Sequence, residues 1–170
     1  ACYDESKRLG ETLCINYYKQ YGLPVKIVRP FNIYGPGLRL DDKRVIPDFF
    51  NDAINQGRIE VLSDGTPKRS FCYISDAVSG FIKALLSDYN GEAFNIGNDE
   101  EEISIYELAQ KIAGIVGNIT IDYIKSKDHD YLTDNPQRRC PDLSKSRSLI
   151  DYNPRISIDE GLRRLKRWYM

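Results

Sequence analysis

Short apolar runs of strand length alternate with stretches of helical periodicity along this chain, and that alternation confines it to an α/β fold with parallel strand pairing. The periodicity predicts a helix over residues 3–21, with Leu9, Leu13 and Tyr17 at four-residue steps, stopped by Gly22-Leu23-Pro24. Residues 25–29 follow as a strand, and apolar side chains on both sides of Lys26 predict a largely buried one. Phe31-Asn32-Ile33-Tyr34-Gly35-Pro36-Gly37 reads as a loop from its glycine and proline content. Val45, Ile46, Phe49, Phe50, Ala53 and Ile54 trace one face of a helix ended by Gly57. A strand over residues 59–62, a turn over 63–67 and a strand over 69–74 come next, and Ser75-Asp76 then caps a helix carrying Val78, Phe81, Ile82 and Leu85. Residues 93–96 form a strand closed by Gly97. Ser104-x-x-Glu107 and Ser157-x-x-Glu160 are capping boxes. The first opens a helix with Ile105, Leu108, Ile112 and Ile115 inward, the second one with Ile158, Leu162, Leu165 and Trp168 inward. Residues 125–141 are polar and loop-like, long enough to suggest a functional role. The order begins on a helix, as though earlier strands of the sheet were missing.

At 170 residues and 41% hydrophobic, the chain suits one folded domain with a core of its own. Its 24 basic and 25 acidic side chains leave a net charge of −1, which gives no electrostatic basis for a nucleic-acid partner. No apolar run approaches the ~20 residues that span a bilayer, so no membrane partner is expected. The opening Ala1-Cys2-Tyr3-Asp4-Glu5 is neither basic nor apolar, so no secretory leader is expected and a cytoplasmic location is. Cys2, Cys14, Cys72 and Cys140 lie far apart with no Cys-x-x-Cys spacing, which predicts reduced thiols and no metal site. The single histidine, His129, stands between Asp128 and Asp130, where an exposed loop residue is weighed against a catalytic one; no nucleophile-elbow pattern accompanies it.

One spacing carries chemistry. Tyr3-Asp4-Glu5-Ser6-Lys7 places a phenol and an ammonium four residues apart, on one helical face. A phenol titrating near ~10 is a poor base at neutral pH. A neighbouring ammonium stabilises its phenolate, which can then take a hydroxyl proton. The same spacing also arises by chance as a surface pair, so other residues must decide between the two.

Those residues are present. Cys2-Tyr3-Asp4-Glu5-Ser6-Lys7-Arg8-Leu9-Gly10-Glu11 resembles the catalytic helix of extended short-chain dehydrogenases/reductases. Arg29-Pro30-Phe31-Asn32-Ile33-Tyr34-Gly35-Pro36-Gly37 resembles that family's post-strand loop, and residues 64–76 its substrate-domain strand and following helix start. Phe94-Asn95-Ile96-Gly97 and residues 136–145 resemble its later blocks, so that the likeness runs along the whole chain in order. Within the family the chain looks most similar to the nucleotide-sugar epimerase/dehydratase group, and there to the UDP-glucuronate decarboxylase and dTDP-glucose 4,6-dehydratase branch.

The resemblance implies an α/β fold with a partial Rossmann-like parallel sheet and a small α/β substrate-binding domain. Residues 1–37 and 70–98 would be the dinucleotide-binding remnant, and 38–69 and 99–170 the nucleotide-sugar domain. It implies Tyr3 as catalytic base and Lys7 as the residue holding Tyr3 and the nicotinamide ribose of NAD. Phe31, Ile33 and Arg44 would lie at the cofactor. Asn32, Arg69 and one of Arg138 and Arg139 would hold the sugar diphosphate, Arg139 being favoured, and a guanidinium fork suits such an anion. Each has a plainer alternative: Arg44 as a solvated charge at a helix start, Asn32 as a strand-end cap, one of the adjacent arginines as surface. Tyr17, Tyr18 and Tyr21 read as packing, with a homodimer through the helix over residues 3–21 implied. Oxidation at C4 would open the reaction, with decarboxylation, dehydration or epimerisation following. The family's Gly-x-x-Gly-x-x-Gly turn does not occur in the 170 residues, and Gly35-Pro36-Gly37 lacks both its spacing and its setting. The Ser or Thr and the acidic residue that assist the tyrosine in the family are likewise absent, so the 170 residues alone are expected to be inactive. A nucleotide-sugar-binding module without redox chemistry, and a structural partner using the tyrosine-rich helix, are the readings from other classes.

Overall fold

The computed structural model describes residues 2–62, 64–124 and 136–170. The chain runs through α1 (Cys2–Tyr21), β1 (Lys26–Pro30), β2 (Ile33–Tyr34), α2 (Val45–Gln56), β3 (Arg58–Val61), β4 (Lys68–Ser70), β5 (Cys72–Tyr73) and α3 (Ile74–Leu86). It continues through β6 (Glu92–Ile96), β7 (Glu102–Ser104), α4 (Ile105–Val116), β8 (Thr120–Tyr123), β9 (Arg138–Arg139), α5 (Ser144–Ile150) and α6 (Ile158–Tyr169). The α/β arrangement is the one the alternation predicts. β1 pairs β6 in parallel, with Val28 opposite Phe94, and β2–β5 and β3–β8 are also parallel. β4 lies between antiparallel β7 and parallel β9.

Two apolar clusters hold these strands. In the first, α2, β3, α4 and α6 meet through Phe50, Ile59, Val61, Leu108, Ile112, Leu162 and Leu165. The second gathers Cys72, Ala77, Ala84, Phe94, Ile96, Leu143, Ile150 and Tyr152 around β6 and α3. Gly80 lets α3 sit close to β6: a Cβ there would lie 2.8 Å from Ile96 Cδ1 and from Tyr152 Cε2. The buried Tyr152 hydroxyl donates to the Gly97 carbonyl at 2.7 Å, and burial pushes the neighbouring Cys72 thiol up to about 11.

Several expectations need correction. β1 is half-buried to exposed rather than largely buried, because among the described residues it pairs along one edge only. α3 buries Asp76, Ala77, Gly80 and Ala84, leaving Val78, Ile82 and Leu85 exposed. Trp168 is exposed too, at the end of a helix whose buried face stops at Leu165. The Ser104 capping box forms in full, whereas Ser157 accepts from the Glu160 N–H and Glu160 turns its carboxylate to Arg164. Asp76 is not a cap: Tyr73 occupies that position, and the Asp76 carboxylate accepts from the Arg155 and Ile156 N–H groups at 2.9 and 2.8 Å. It thereby ties the approach to α6 onto the start of α3. Among the described residues no helix is long and apolar enough to cross a membrane.

Replacing Asp76 by alanine strands two backbone donors in a largely buried place, at about 1–3 kcal/mol each. Ser104→Ala removes an exposed cap worth ~1 kcal/mol. Urea unfolding of the two variants should therefore show Asp76→Ala as clearly the more destabilised, and an equal or reversed order would contradict the role given to Asp76.

Candidate active site

Tyr3, Lys7 and Glu11 follow at four-residue steps and share one face of α1. The Lys7 ammonium stands 5.3 Å from the centre of the Tyr3 ring, and Tyr3 is 68% exposed. One turn on, Glu11 accepts from both Arg29 Nε and Nη2, at 2.7 and 2.5 Å. Near the end of α1, Tyr18 lies on Gly91, whose missing Cβ would come within 2.5 Å of the ring. Between α1 and β1 a cleft of about 700 Å³ opens, lined by Tyr3, Lys7, Arg29, Phe31, Asn32 and Arg139 among others.

Asn32 turns the chain at the end of this cleft. Its φ of 42° is in the left-handed region, where asparagine is among the few side chains tolerated. Its Nδ2 donates to the Ser70 carbonyl at 2.8 Å, and its own carbonyl accepts from the Cys72 N–H at 3.2 Å. Backbone in this region persists where neighbouring structure holds it, commonly at sites. Asn32 also borders a second pocket of about 200 Å³, with Ile33, Leu38, Arg44, Val45 and Phe71. Ile33 and Arg44 therefore line this smaller space and not the cleft holding Tyr3. Arg44 is the N-cap residue of α2, and its guanidinium grips the Asp42 carboxylate through Nε and Nη2.

The three arginines separate by register. β4 and β9 pair in parallel with Arg69 opposite Arg139 and Lys68 opposite Arg138. Arg69 is buried at 7% exposure, its Nη1 donating to the Lys68 carbonyl at 2.7 Å. Arg138 is exposed, with Nε 2.8 Å from the Glu102 carboxylate on β7. Arg139 is exposed on the wall of the cleft. Structure thus brings Tyr3, Lys7, Phe31, Asn32 and Arg139 together, buries Arg69 on the strand beside Arg139 and outside the cleft lining, and directs Arg138 to Glu102. His129 lies outside the described residues. Among those described, no group of His, Cys, Asp and Glu could hold a metal ion.

Sequence reasoning did not single out the Glu11–Arg29 pair. The available signal was Glu11 one turn beyond Lys7, on the Tyr3 face. Arg29, at the end of a strand, gave none.

Residues 1–97 match the NAD dependent epimerase/dehydratase family. The chain is 37% identical over 162 residues to UDP-glucuronic acid decarboxylase 3 of Arabidopsis thaliana, covering 95% of this chain and 46% of that protein. Among solved structures, a UDP-glucuronic acid 4-epimerase from Bacillus cereus, in complex with UDP-glucuronic acid and NAD, superposes at a TM-score of 0.77 with 31% identity over 94% of this chain and 49% of its own. A dTDP-glucose 4,6-dehydratase from Bacillus anthracis, in complex with NAD, superposes at 0.84 with 26% identity over 99% and 52%. The chain spans about half the length of the curated relatives it matches.

Asn32→Ala loses the bond to Ser70 and puts an ordinary side chain at positive φ, a combined cost of roughly 2–3 kcal/mol. Asn32→Gly loses the bond but tolerates the backbone, so denaturant midpoints should fall in the order wild type, glycine, alanine. Alanine as stable as glycine would mean that the turn relaxes and φ is unconstrained.

Proposed function

The chain belongs to the NAD dependent epimerase/dehydratase family, and from that membership we propose that it carries the acid–base and substrate-holding part of an NAD-dependent enzyme modifying a nucleotide sugar through a 4-keto intermediate. The observation that carries this reading is the meeting of Tyr3, Lys7, Asn32 and Arg139 on one cleft. The Tyr3 phenolate, stabilised by the Lys7 ammonium, takes the proton of the sugar's C4 hydroxyl while hydride leaves that carbon. The hydride acceptor would be supplied by NAD when bound. Lys7 would hold its nicotinamide ribose, with the backbone at Phe31 and Asn32 beside the nicotinamide, and the cleft's volume of about 700 Å³ and its lining of an ammonium and the Phe31 wall fit that half of the cofactor. Arg139, with Asn32 on the same cleft and Arg69 its register partner on β4, would clamp the diphosphate or a sugar carboxylate. Residues 1–37 and 70–98 would present the acid–base pair, and residues 38–69 and 99–170 the sugar nucleotide, with α5 packing back onto β6.

Decarboxylation of UDP-glucuronate is the favoured outcome, supported by the 37% identity to a plant UDP-glucuronic acid decarboxylase. A C4 ketone is β to the C6 carboxylate, so the oxidised sugar loses CO₂ with the electron pair delocalised onto the ketone oxygen. Epimerisation at C4 is the second reading, favoured by the 31% identity to an epimerase solved with the same acidic sugar nucleotide. Leu9, Leu13, Tyr17 and Tyr21 form an exposed stripe on α1 at four-residue steps, which supports a homodimer through this helix.

Tyr3→Phe in the full-length protein should lower kcat by about 10²–10⁴-fold with the far-ultraviolet circular dichroism unchanged. Retained turnover would remove Tyr3 from the mechanism, and release of labelled CO₂ from C6 separates decarboxylation from epimerisation. The 170 residues contain no Gly-rich strand-to-helix turn to cradle a pyrophosphate. Calorimetric titration of the 170-residue chain with NAD should accordingly show no micromolar binding, and a micromolar isotherm would overturn that expectation.

A further inference from the structure

Glu11 and Arg29 take no part in the proton or anion chemistry assigned above, yet both line the same cleft. We propose that the Glu11–Arg29 fork is a positioning pair, setting where Tyr3 and Lys7 stand relative to the loop at Asn32. The inference rests on the reading of Tyr3 and Lys7 as the acid–base pair.

α1 has no buried residue, and only Glu11, Ile15 and Tyr18 are even half-buried along it. Apolar packing therefore does little to fix its tilt. Among the described residues, the ties seen besides half-buried Ile15 are Tyr18 on Gly91 near its carboxyl end and the fork at its middle. Two parallel N–H···O bonds constrain direction as well as distance, which a single contact or a lysine would not. Each partner acts on the other: Arg29's hydrogen bonds hold the Glu11 carboxyl below its ordinary range, and Glu11's raise Arg29. A lowered carboxyl keeps its contribution above the unfolded value and loses it only as pH falls through the folded one, so the tie is intact at neutral pH.

The fork's place along the chain is informative. Glu11 lies one turn beyond Lys7, on its face, while Arg29 lies three residues before Asn32. One strand thus leads from the tie to the substrate loop, and one helix from the tie to the base. Tyr3 is eight residues from Glu11, a lever of about 12 Å at the helical rise. A tilt of about 10° about the fork would carry Tyr3 roughly 2 Å, and misplacement of about 1 Å can cost 10²-fold in rate.

The test uses the full-length protein with Glu11→Ala, Arg29→Met and the double variant, reading steady-state kinetics and amide hydrogen exchange. The expected result is a 10- to 100-fold loss of kcat with KM within about twofold, and exchange in residues 2–14 at least tenfold faster while β6 is unchanged. The double variant should be no worse than the poorer single one, as for residues acting as a unit. Unchanged exchange in α1 overturns the proposal whatever happens to turnover. Faster exchange with unchanged kcat overturns it too, leaving the pair merely structural. Because the exchange arm needs no chemistry, a failed Tyr3→Phe result would sink the assignment of the base while the fork is still judged on its own measurement.

Discussion

The hydrogen bond from Asn32 Nδ2 to the Ser70 carbonyl joins the strand that leaves the α1 cleft to the strand that carries Arg69. It closes a loop of backbone that would otherwise be free to turn elsewhere. β1 delivers the chain to Asn32, the chain bends there at positive φ, and the side chain fixes the result on β4. Ser70 then leads through Phe71 to Cys72, whose N–H returns to the Asn32 carbonyl. Two bonds thus lock a residue in a sparsely populated conformation, and that residue borders both cavities. The two apolar clusters meet through the same stretch, since Tyr34 and Phe71 belong to one and Cys72 to the other.

Much of this architecture was legible in the residues. Helices over 2–21 and 45–56 and the strand over 92–96 lie within two residues of where periodicity puts them. What periodicity cannot reveal is which apolar stripe is covered. Val78, Ile82 and Leu85 are as apolar and as well spaced as an interior face, but α3 meets β6 through Ala77, Gly80 and Ala84 because small residues allow the closest approach. Asp76 looked like a cap because its local position suited one, and its partners, Arg155 and Ile156, lie some eighty residues away. β9 was invisible for the same reason: two arginines have no strand signature, and only pairing with β4 makes them one.

The site divided along similar lines. Tyr3, Lys7, Asn32 and Arg139 were recognisable because each belongs to a short local motif. Glu11 and Arg29 were not, since the fork joins residues eighteen apart, on a helix and a strand, with neither remarkable in its own segment. Arg138 and Arg139 part because alternate residues of a strand face opposite ways: Arg138 finds Glu102 while Arg139 reaches the cleft.

That alternation leaves an electrostatic problem within the small sheet. Lys68 lies opposite Arg138 and Arg69 opposite Arg139, two like-charge cross-strand pairs on a strand pairing only two residues long. Like charges directly opposite are destabilising, by an amount comparable with the 0.2–1 kcal/mol that favourable pairs contribute. Glu102 offsets the first pair through Arg138. Arg69 and Arg139 point the other way, Arg69 buried with its Nη1 on the Lys68 carbonyl and Arg139 exposed on the wall of the cleft. The register that sends Arg138 to Glu102 is thus the same one that leaves Arg139 exposed at the cleft, so two adjacent residues of like charge end in different surroundings.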